Sequence, residues 1–250
     1  MKKIKYFIIF LVLLGGLFFL FGPEVLPENF QPQEFLDLAA DGDVIIIFAS
    51  GGWGNTPLEE AKDFAPIVEG IQKTLEDLGY NSLVIPYTRT KNDLLGKIAS
   101  ARDFFFSFRA SSENLAKEVE FLTEKLPDKK IILAGLSSGG AFVEETVEKI
   151  SEKTQDSVYA IVAGVPFWYN NPESKNLLQL DNNGRDSLVE GDAKSLAPSL
   201  IKAPFKWVFS KFNGENLTFS QAVRAPGHEY FWNSSEVGPQ IVTFLEEKLH

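Results

Sequence analysis

Short runs of apolar residues alternate along the chain with stretches of helical periodicity. The apolar runs, each long enough for one strand, cover residues 44–48, 83–86, 131–133, 158–162, 177–180 and 217–223. Between them, apolar side chains recur every three or four residues and predict helices around 64–78, 115–126 and 237–245. Ser111 and Ser112 are the candidate N-caps of the second helix, which should end before Pro127. This alternation favours an α/β domain with a mostly parallel central sheet and helices on both faces.

The N-terminus carries a different pattern, in which three lysines precede an apolar run at residues 6–21. Lysines before an apolar stretch stay on the cytoplasmic side of a membrane, so the rest of the chain should lie outside. The run is shorter than the ~20 residues of a full span, and no Ala-x-Ala cleavage site follows it closely. We predict a signal anchor at 1–23, with a cleaved signal peptide and secretion as the alternative. Residues 24–41 are then a linker or covering arm, and residues 42–250 are one domain.

Composition limits the chemistry further. With 250 residues, 44% of them hydrophobic, the chain can bury one substantial core. It has no cysteine and two histidines, which excludes disulfides, thiol catalysis and a zinc cluster, so we expect no metal and no organic cofactor. A formal net charge of −10 makes nucleic acid an unsuitable partner and disfavours adhesion to anionic lipid. The N-terminal helix is therefore the expected membrane contact.

The segment from Lys130 to Ala141 combines an apolar strand, a Gly-x-Ser-x-Gly turn and a helical pattern. A residue in such a tight strand-to-helix turn takes strained backbone geometry, and its side chain is pushed out to solvent. Ser137 is therefore the candidate nucleophile. The alternative is a glycine-rich turn with an incidental serine.

A serine hydroxyl needs a base to become nucleophilic, and an acid to orient that base. His228 is the candidate base, because His250 is the last residue and chain ends are usually frayed. The acid should lie between Ser137 and His228. Asp186, which follows a predicted strand and turn, is preferred. Asp181 is the main competitor, and Asp192 and Glu215 are weaker ones.

These segments together resemble the α/β-hydrolase superfamily. Gly135–Gly139 is similar to its nucleophile elbow, Asn183–Val189 to its acid loop, and Gly227–His228 to its histidine loop. Residues 44–54 are similar to the strand and loop that supply half of the family's oxyanion hole, with Ser50 where a histidine is usual.

The resemblance implies that main-chain N–H groups of Gly52 and Ser138 form the oxyanion hole, with Trp53 as an alternative to Gly52. It also implies a minimal cap or none after the strand at 158–162, because only about a dozen residues lead to the next strand. Aromatic residues at 165–169 and 230–232 either line the substrate pocket or pack in the core. For Phe104–Phe108, a buried helix end is favoured over a substrate-facing flap.

The expected activity is that of a serine hydrolase. Its substrate would be a small or lipid-like carboxylic ester or thioester, or else an amide, cleaved through an acyl-enzyme by Ser137, His228 and Asp186. An acyltransferase, a non-catalytic binding module and a haloperoxidase-like or lyase activity on the same scaffold remain alternatives.

Overall fold

The computed structural model describes residues 42–169, 172, 174–214 and 225–249, and the isolated residues 16 and 36. The predicted signal anchor and most of the linker lie outside the described residues. So do the predicted strand at 217–223, Glu215 and His250. Among the helices that are described, none combines the length and the apolar character needed to cross a membrane.

A sheet of five parallel strands forms the centre of the domain. The strands are β1 (Val44–Ala49), β2 (Ser82–Tyr87), β3 (Lys130–Leu136), β4 (Val158–Ala163) and β5 (Leu177–Leu180). Their spatial order is β2-β1-β3-β4-β5, with Val44 opposite both Ser82 and Lys130. The predicted parallel sheet is confirmed. Because all five strands run in the same direction, their carboxyl ends lie at the same edge of the sheet. This is the edge where α/β proteins place their sites.

Seven α-helices and a short 3₁₀ turn (Leu58–Glu60) are described around this sheet. The helices are α1 (Ala65–Asp77), α2 (Leu94–Phe105), α3 (Arg109–Lys125), α4 (Ser138–Val147), α5 (Glu152–Gln155), α6 (Ala193–Phe212) and α7 (Gly238–Leu249). The apolar patterns predict α1, α3, α4 and α7. They do not single out α2 or α6.

The core lies on both faces of the sheet, as β1 shows. Val44, Ile46 and Phe48 pack against α1 and α7, whereas Ile45 and Ile47 pack against α3 and α4. Every side chain of β1 is buried, which explains why its sequence is a continuous apolar run rather than an alternating one.

The start of α3 differs from the prediction. The helix begins at Arg109, after Phe108 in a left-handed conformation with φ of 50°. Ser111 and Ser112 therefore lie inside the first turn, and both hydroxyls donate hydrogen bonds back to the Phe108 carbonyl. The N-cap prediction was wrong because these hydroxyls bond to a carbonyl behind them rather than to free N–H groups ahead.

The phenylalanine-rich segment is a helix end that is only partly buried. Phe108 is fully buried, but Phe105 at the end of α2 is 73% exposed and Phe106 is 51% exposed. The segment between β4 and β5 is short, as predicted, while α6 follows β5.

Candidate active site

Ser137 lies between the end of β3 and the start of α4. Its φ of 56° and ψ of −119° are unusual for a residue with a side chain and mark a strained turn. A Cβ on Gly135 would lie 2.5 Å from the Gly139 carbonyl oxygen, and one on Gly139 would lie 2.2 Å from the Ala49 carbonyl oxygen. Glycine is therefore required on both sides of Ser137, which is partly exposed at the carboxyl edge of the sheet.

Asp186 is reached through an abrupt turn after β5. Asn182, Asn183 and Gly184 all have positive φ, at 58°, 55° and 69°. Asparagine and glycine are the residue types that adopt this conformation most readily. The turn carries the chain inward, so that Asp186 has no exposed surface.

The acid loop and the histidine loop are joined by hydrogen bonds. The Asn182 side-chain amide donates to the Gly227 carbonyl over 2.9 Å. The Ser187 hydroxyl and N–H both donate to the Pro226 carbonyl, over 2.9 and 3.0 Å. These bonds fix the position of one loop relative to the other, although Asp186 and His228 are 42 residues apart in the sequence.

Three donors surround the Asp186 carboxylate. Oδ2 lies 2.7 Å from His228 Nδ1 and accepts a 2.6 Å hydrogen bond from the Tyr230 hydroxyl. Oδ1 accepts the Leu188 N–H over 2.9 Å. Burial on its own would raise the pKa of Asp186, but the hydrogen bonds from His228, Tyr230 and Leu188 together hold its pKa below the ordinary value. The carboxylate is therefore charged and able to orient the imidazole.

His228 lies beside the elbow, at the end of β4. The Ser137 N–H donates to the Ala163 carbonyl over 2.8 Å, and Gly164 is the next residue. A Cβ on Gly164 would lie 2.5 Å from His228 Cε1, so the ring rests directly on this glycine. No direct hydrogen bond joins the described side chains of Ser137 and His228. Such bonds are often long before substrate binds.

The loop after β1 packs closely on the elbow. A Cβ on Gly51 would lie 2.9 Å from the Leu136 carbonyl oxygen and 3.7 Å from Ser137 Cβ. The Ser138 hydroxyl donates a 2.8 Å hydrogen bond to the Gly52 carbonyl. Gly52 and Ser138, the two predicted oxyanion donors, are thus neighbours. Trp53 is 37% exposed.

Arg89, just beyond β2, was not identified from the sequence. Its side chain is 1% exposed, and Nη2 donates to the Ser50 carbonyl over 2.9 Å and to the Ser138 hydroxyl over 3.1 Å. The guanidinium carbon lies 4.9 and 5.4 Å from the ring centroids of Phe108 and Phe142. Burial lowers the pKa of Arg89 to about 10, so the group remains cationic at neutral pH. Arg89 therefore ties the loop after β1 to the elbow.

The competing acids have other contacts. The Asp181 carboxylate accepts the Asn183 N–H over 2.8 Å, and the Asp192 carboxylate accepts N–H groups of Lys194 and Ser195 at the start of α6. Both are exposed. The described residues hold no group of three or more His, Asp or Glu side chains placed to bind a metal ion.

The aromatic segments near the site are divided between core and surface. Tyr230 is buried on Asp186, and Tyr169 stacks on Phe108. Phe167, Trp168 and Phe231 are 55%, 50% and 61% exposed. Tyr169 and Tyr230 therefore pack inward, whereas Phe167, Trp168 and Phe231 lie at the surface.

No family model and no curated protein matches the chain. Among solved structures, a Trichoderma reesei cutinase in complex with a phosphonate inhibitor is 19% identical with a TM-score of 0.47, over 64% of this chain and 75% of the cutinase. A cutinase-like protein from Cryptococcus sp. is 17% identical with a TM-score of 0.36, over 50% and 54% of the two chains. An acetylxylan esterase is 14% identical with a TM-score of 0.45, over 82% and 98%.

Proposed function

We propose that the protein is a serine hydrolase that cleaves a carboxylic ester or thioester through an acyl-enzyme. One observation carries the proposal. A buried, charged Asp186 holds the Nδ1 side of His228, and the His228 ring rests on Gly164, next to the strained turn that presents Ser137. This is the order of acid, base and nucleophile that acyl transfer requires.

In the first half of the reaction, Ser137 Oγ attacks the substrate carbonyl carbon while its proton passes to His228 Nε2. Asp186 accepts a hydrogen bond from the Nδ1–H group of His228. This bond leaves Nε2 free to act as the base and stabilises the imidazolium that forms. The C–O or C–S bond of the substrate then breaks, and the His228 proton leaves with the alcohol or thiol.

The negative charge on the carbonyl oxygen has to be stabilised during this step. We assign this role to the main-chain N–H groups of Gly52 and Ser138, since the loop after β1 lies directly on the elbow. Arg89 has a supporting role in this proposal, because it donates hydrogen bonds to the carbonyl of Ser50 and the hydroxyl of Ser138.

In the second half, a water molecule gives its proton to His228 and attacks the acyl group on Ser137. The tetrahedral intermediate collapses, the Ser137–acyl bond breaks, and His228 returns the proton to Ser137 Oγ. Acid and free serine are the products.

Labelling with a fluorophosphonate tests the proposal. The probe should form one adduct, on the peptide that contains Ser137, and the adduct should be lost in Ser137→Ala. Ser138→Ala is the matched control, because the backbone N–H of that residue remains and labelling should persist. An adduct that survives in folded Ser137→Ala would sink the proposal.

Two alternatives are separated by further measurements. An acyltransferase would transfer the acyl group to an added alcohol in preference to water, so ester exchange would exceed hydrolysis in product analysis. A non-catalytic binding module would bind an ester without labelling or turnover.

The location of the protein is a separate proposal. We infer from the lysines and apolar run at residues 1–23 that the chain is anchored, with its domain on the extracytoplasmic side. Resistance of the full chain to extraction at high pH, with the domain open to external protease, supports this proposal. A soluble product that starts shortly after Phe21 contradicts it and favours a cleaved signal peptide.

A further inference from the structure

Helix α6 carries a row of large apolar side chains on its outer face. These side chains are spaced by four, three, one and three residues, and their exposed fractions are Ile201 69%, Phe205 64%, Val208 43%, Phe209 64% and Phe212 84%. With 3.6 residues per turn, this spacing keeps them within an arc of about 100°. Ala203 and Ser210, on the opposite side of the helix, are buried. The row therefore points away from the domain. We call it the α6 stripe.

The charges of α6 are as unusual as its apolar face. The helix contains Lys194, Lys202, Lys206 and Lys211 and no acidic residue, in a chain whose formal net charge is −10. Lys202 and Lys206 are exposed and follow the edge of the stripe. This helix is thus a basic, apolar surface on an otherwise acidic protein.

We propose that α6 is an interfacial helix that binds the surface of an anionic lipid bilayer. A helix with an apolar face of phenylalanine and isoleucine, edged by lysines, lies in the plane of a membrane with its apolar side chains among the acyl chains. Lysine stems extend along the apolar boundary and place their ammonium groups among the headgroups. Anionic headgroups complement these lysines.

The charge distribution favours this occupant over a second copy of the chain. In an antiparallel, face-to-face pair of α6 stripes the edges that carry Lys202 and Lys206 would lie side by side, and like charges at short range repel. The acidic remainder of the domain is repelled by anionic lipid, so the bilayer should meet the protein through α6. The proposal does not depend on the esterase assignment or on the N-terminal segment.

A single fluorescent probe tests the proposal, because the chain has no cysteine of its own. Full-length Phe209→Cys is labelled with an environment-sensitive nitrobenzoxadiazole group and reconstituted into vesicles of phosphatidylcholine, with or without phosphatidylglycerol. We expect a blue shift in the emission, and quenching by doxyl-labelled lipid, in the vesicles that contain phosphatidylglycerol. Both changes should be weaker in phosphatidylcholine alone.

The matched control is Glu124→Cys, whose side chain is 76% exposed on α3. Its probe should remain in water in both kinds of vesicle. In labelled Phe209→Cys that also carries Lys202→Gln and Lys206→Gln, the difference between the two kinds of vesicle should shrink. Both lysines are exposed, so the fold should be retained, and circular dichroism checks this.

Three outcomes overturn the proposal. If the probe at position 209 stays in water in both kinds of vesicle, no lipid binds the stripe. If the probe is blue-shifted but is not quenched by doxyl lipid, protein covers the stripe, either a second copy or another segment of the chain. Equal quenching in both kinds of vesicle means that the lysines do not select anionic lipid.

Discussion

Two buried carboxylates in this protein have pKa values that are shifted in opposite directions. Asp186, on the acid loop, has no exposed surface, and Glu144, on α4 behind the elbow, is 1% exposed. The pKa of Asp186 is held below its ordinary value, whereas burial raises the pKa of Glu144 to about 7. Asp186 accepts hydrogen bonds from His228, Tyr230 and one backbone N–H. Glu144 accepts one, from the Gln179 side-chain amide, and its Oε2 has no partner among the described residues.

Burial is therefore not what distinguishes a candidate catalytic carboxylate from a structural one. Removal from water disfavours the charged form in both cases, and the number of donors decides the direction of the shift. The loop around Asp186 supplies enough donors to keep the charge, so that His228 faces an anion. Glu144 has only one such donor among the described residues and is partly protonated at neutral pH.

The largest expected effect follows from removing the charge of Asp186. Asp186→Asn keeps the shape of the side chain but lets the imidazole adopt the wrong tautomer, so turnover should fall by about 10⁴. Steady-state kinetics measures this loss, and circular dichroism confirms folding. Glu144→Gln is the matched control, as a buried acid-to-amide change outside the site, and should retain most turnover. Asp181→Asn should also do so. Collapse in Asp181→Asn beside a near-normal Asp186→Asn would transfer the role to Asp181.

The next effect concerns the position of the imidazole relative to the carboxylate. In Gly164→Ala the new methyl group would lie 2.5 Å from His228 Cε1, so the ring must move. Misplacement of a catalytic group by about 1 Å lowers turnover about a hundredfold. Gly79→Ala is the control, because Gly79 also has positive φ, at 86°, but a Cβ there meets nothing within 4 Å. Equal losses in the two variants would mean that backbone strain, rather than a displaced His228, causes the effect.

Arg89 is a third buried charge, and it belongs to the nucleophile side of the site. Arg89→Lys keeps the cation but cannot reach both the Ser50 carbonyl and the Ser138 hydroxyl with the same planar geometry. We expect turnover to fall about tenfold, less than the roughly hundredfold loss caused by removing an oxyanion donor itself. KM should change little, since substrate does not touch Arg89 in this proposal. Arg185→Lys, at a residue with a 67% exposed side chain, is the control.

The sequence predicts the centre of the sheet well because β1, β3 and β4 are buried on both faces. Continuous apolar runs such as β1 can be recognised locally, and the chain order of Ser137, Asp186 and His228 follows from short motifs. The pairing of Asp186 with His228 depends on loops that are joined across 42 residues, so the sequence could nominate these residues but not show their contact.

Arg89 and α6 were missed for physical reasons. The role of Arg89 arises from contacts with two other strand ends, and no local pattern marks a buried arginine. In α6 the 3.6-residue apolar period is present, but Pro198 and Pro204 interrupt it and suggest a loop. The stripe also faces outward, whereas apolar periodicity is normally taken to show the buried face.

A smaller effect is expected from removing one of the three donors to Asp186. Tyr230→Phe keeps the ring but loses the hydroxyl, and a hydrogen bond to a charged group contributes about 1.5–3 kcal/mol to stability. Because the folded pKa of Asp186 is lowered, this contribution is present above about pH 4 and is lost as the pH falls through the folded pKa. Urea unfolding at several pH values should show that the difference in free energy of unfolding between the wild type and Tyr230→Phe becomes smaller in acid. Tyr80→Phe is the control, because it loses a hydrogen bond to the Leu249 carbonyl rather than to a carboxylate. Its difference in free energy of unfolding from the wild type should not become smaller in acid.

The smallest effect on turnover, with a clear effect on stability, is expected for Glu144→Gln. The folded pKa of Glu144 is about 7, above the ordinary value near 4.3, so wild-type stability falls as pH rises between these values and is then level. Glutamine has no charge to bury and still offers Gln179 a carbonyl oxygen. The variant should match the wild type below about pH 4 and exceed its free energy of unfolding by on the order of 2 kcal/mol above pH 7. The same change at the exposed Glu152 is the control and should leave the free energy of unfolding close to that of the wild type. If Glu144→Gln is less stable than the wild type at pH 8, Glu144 has charge-stabilising partners after all, and the contrast with Asp186 fails.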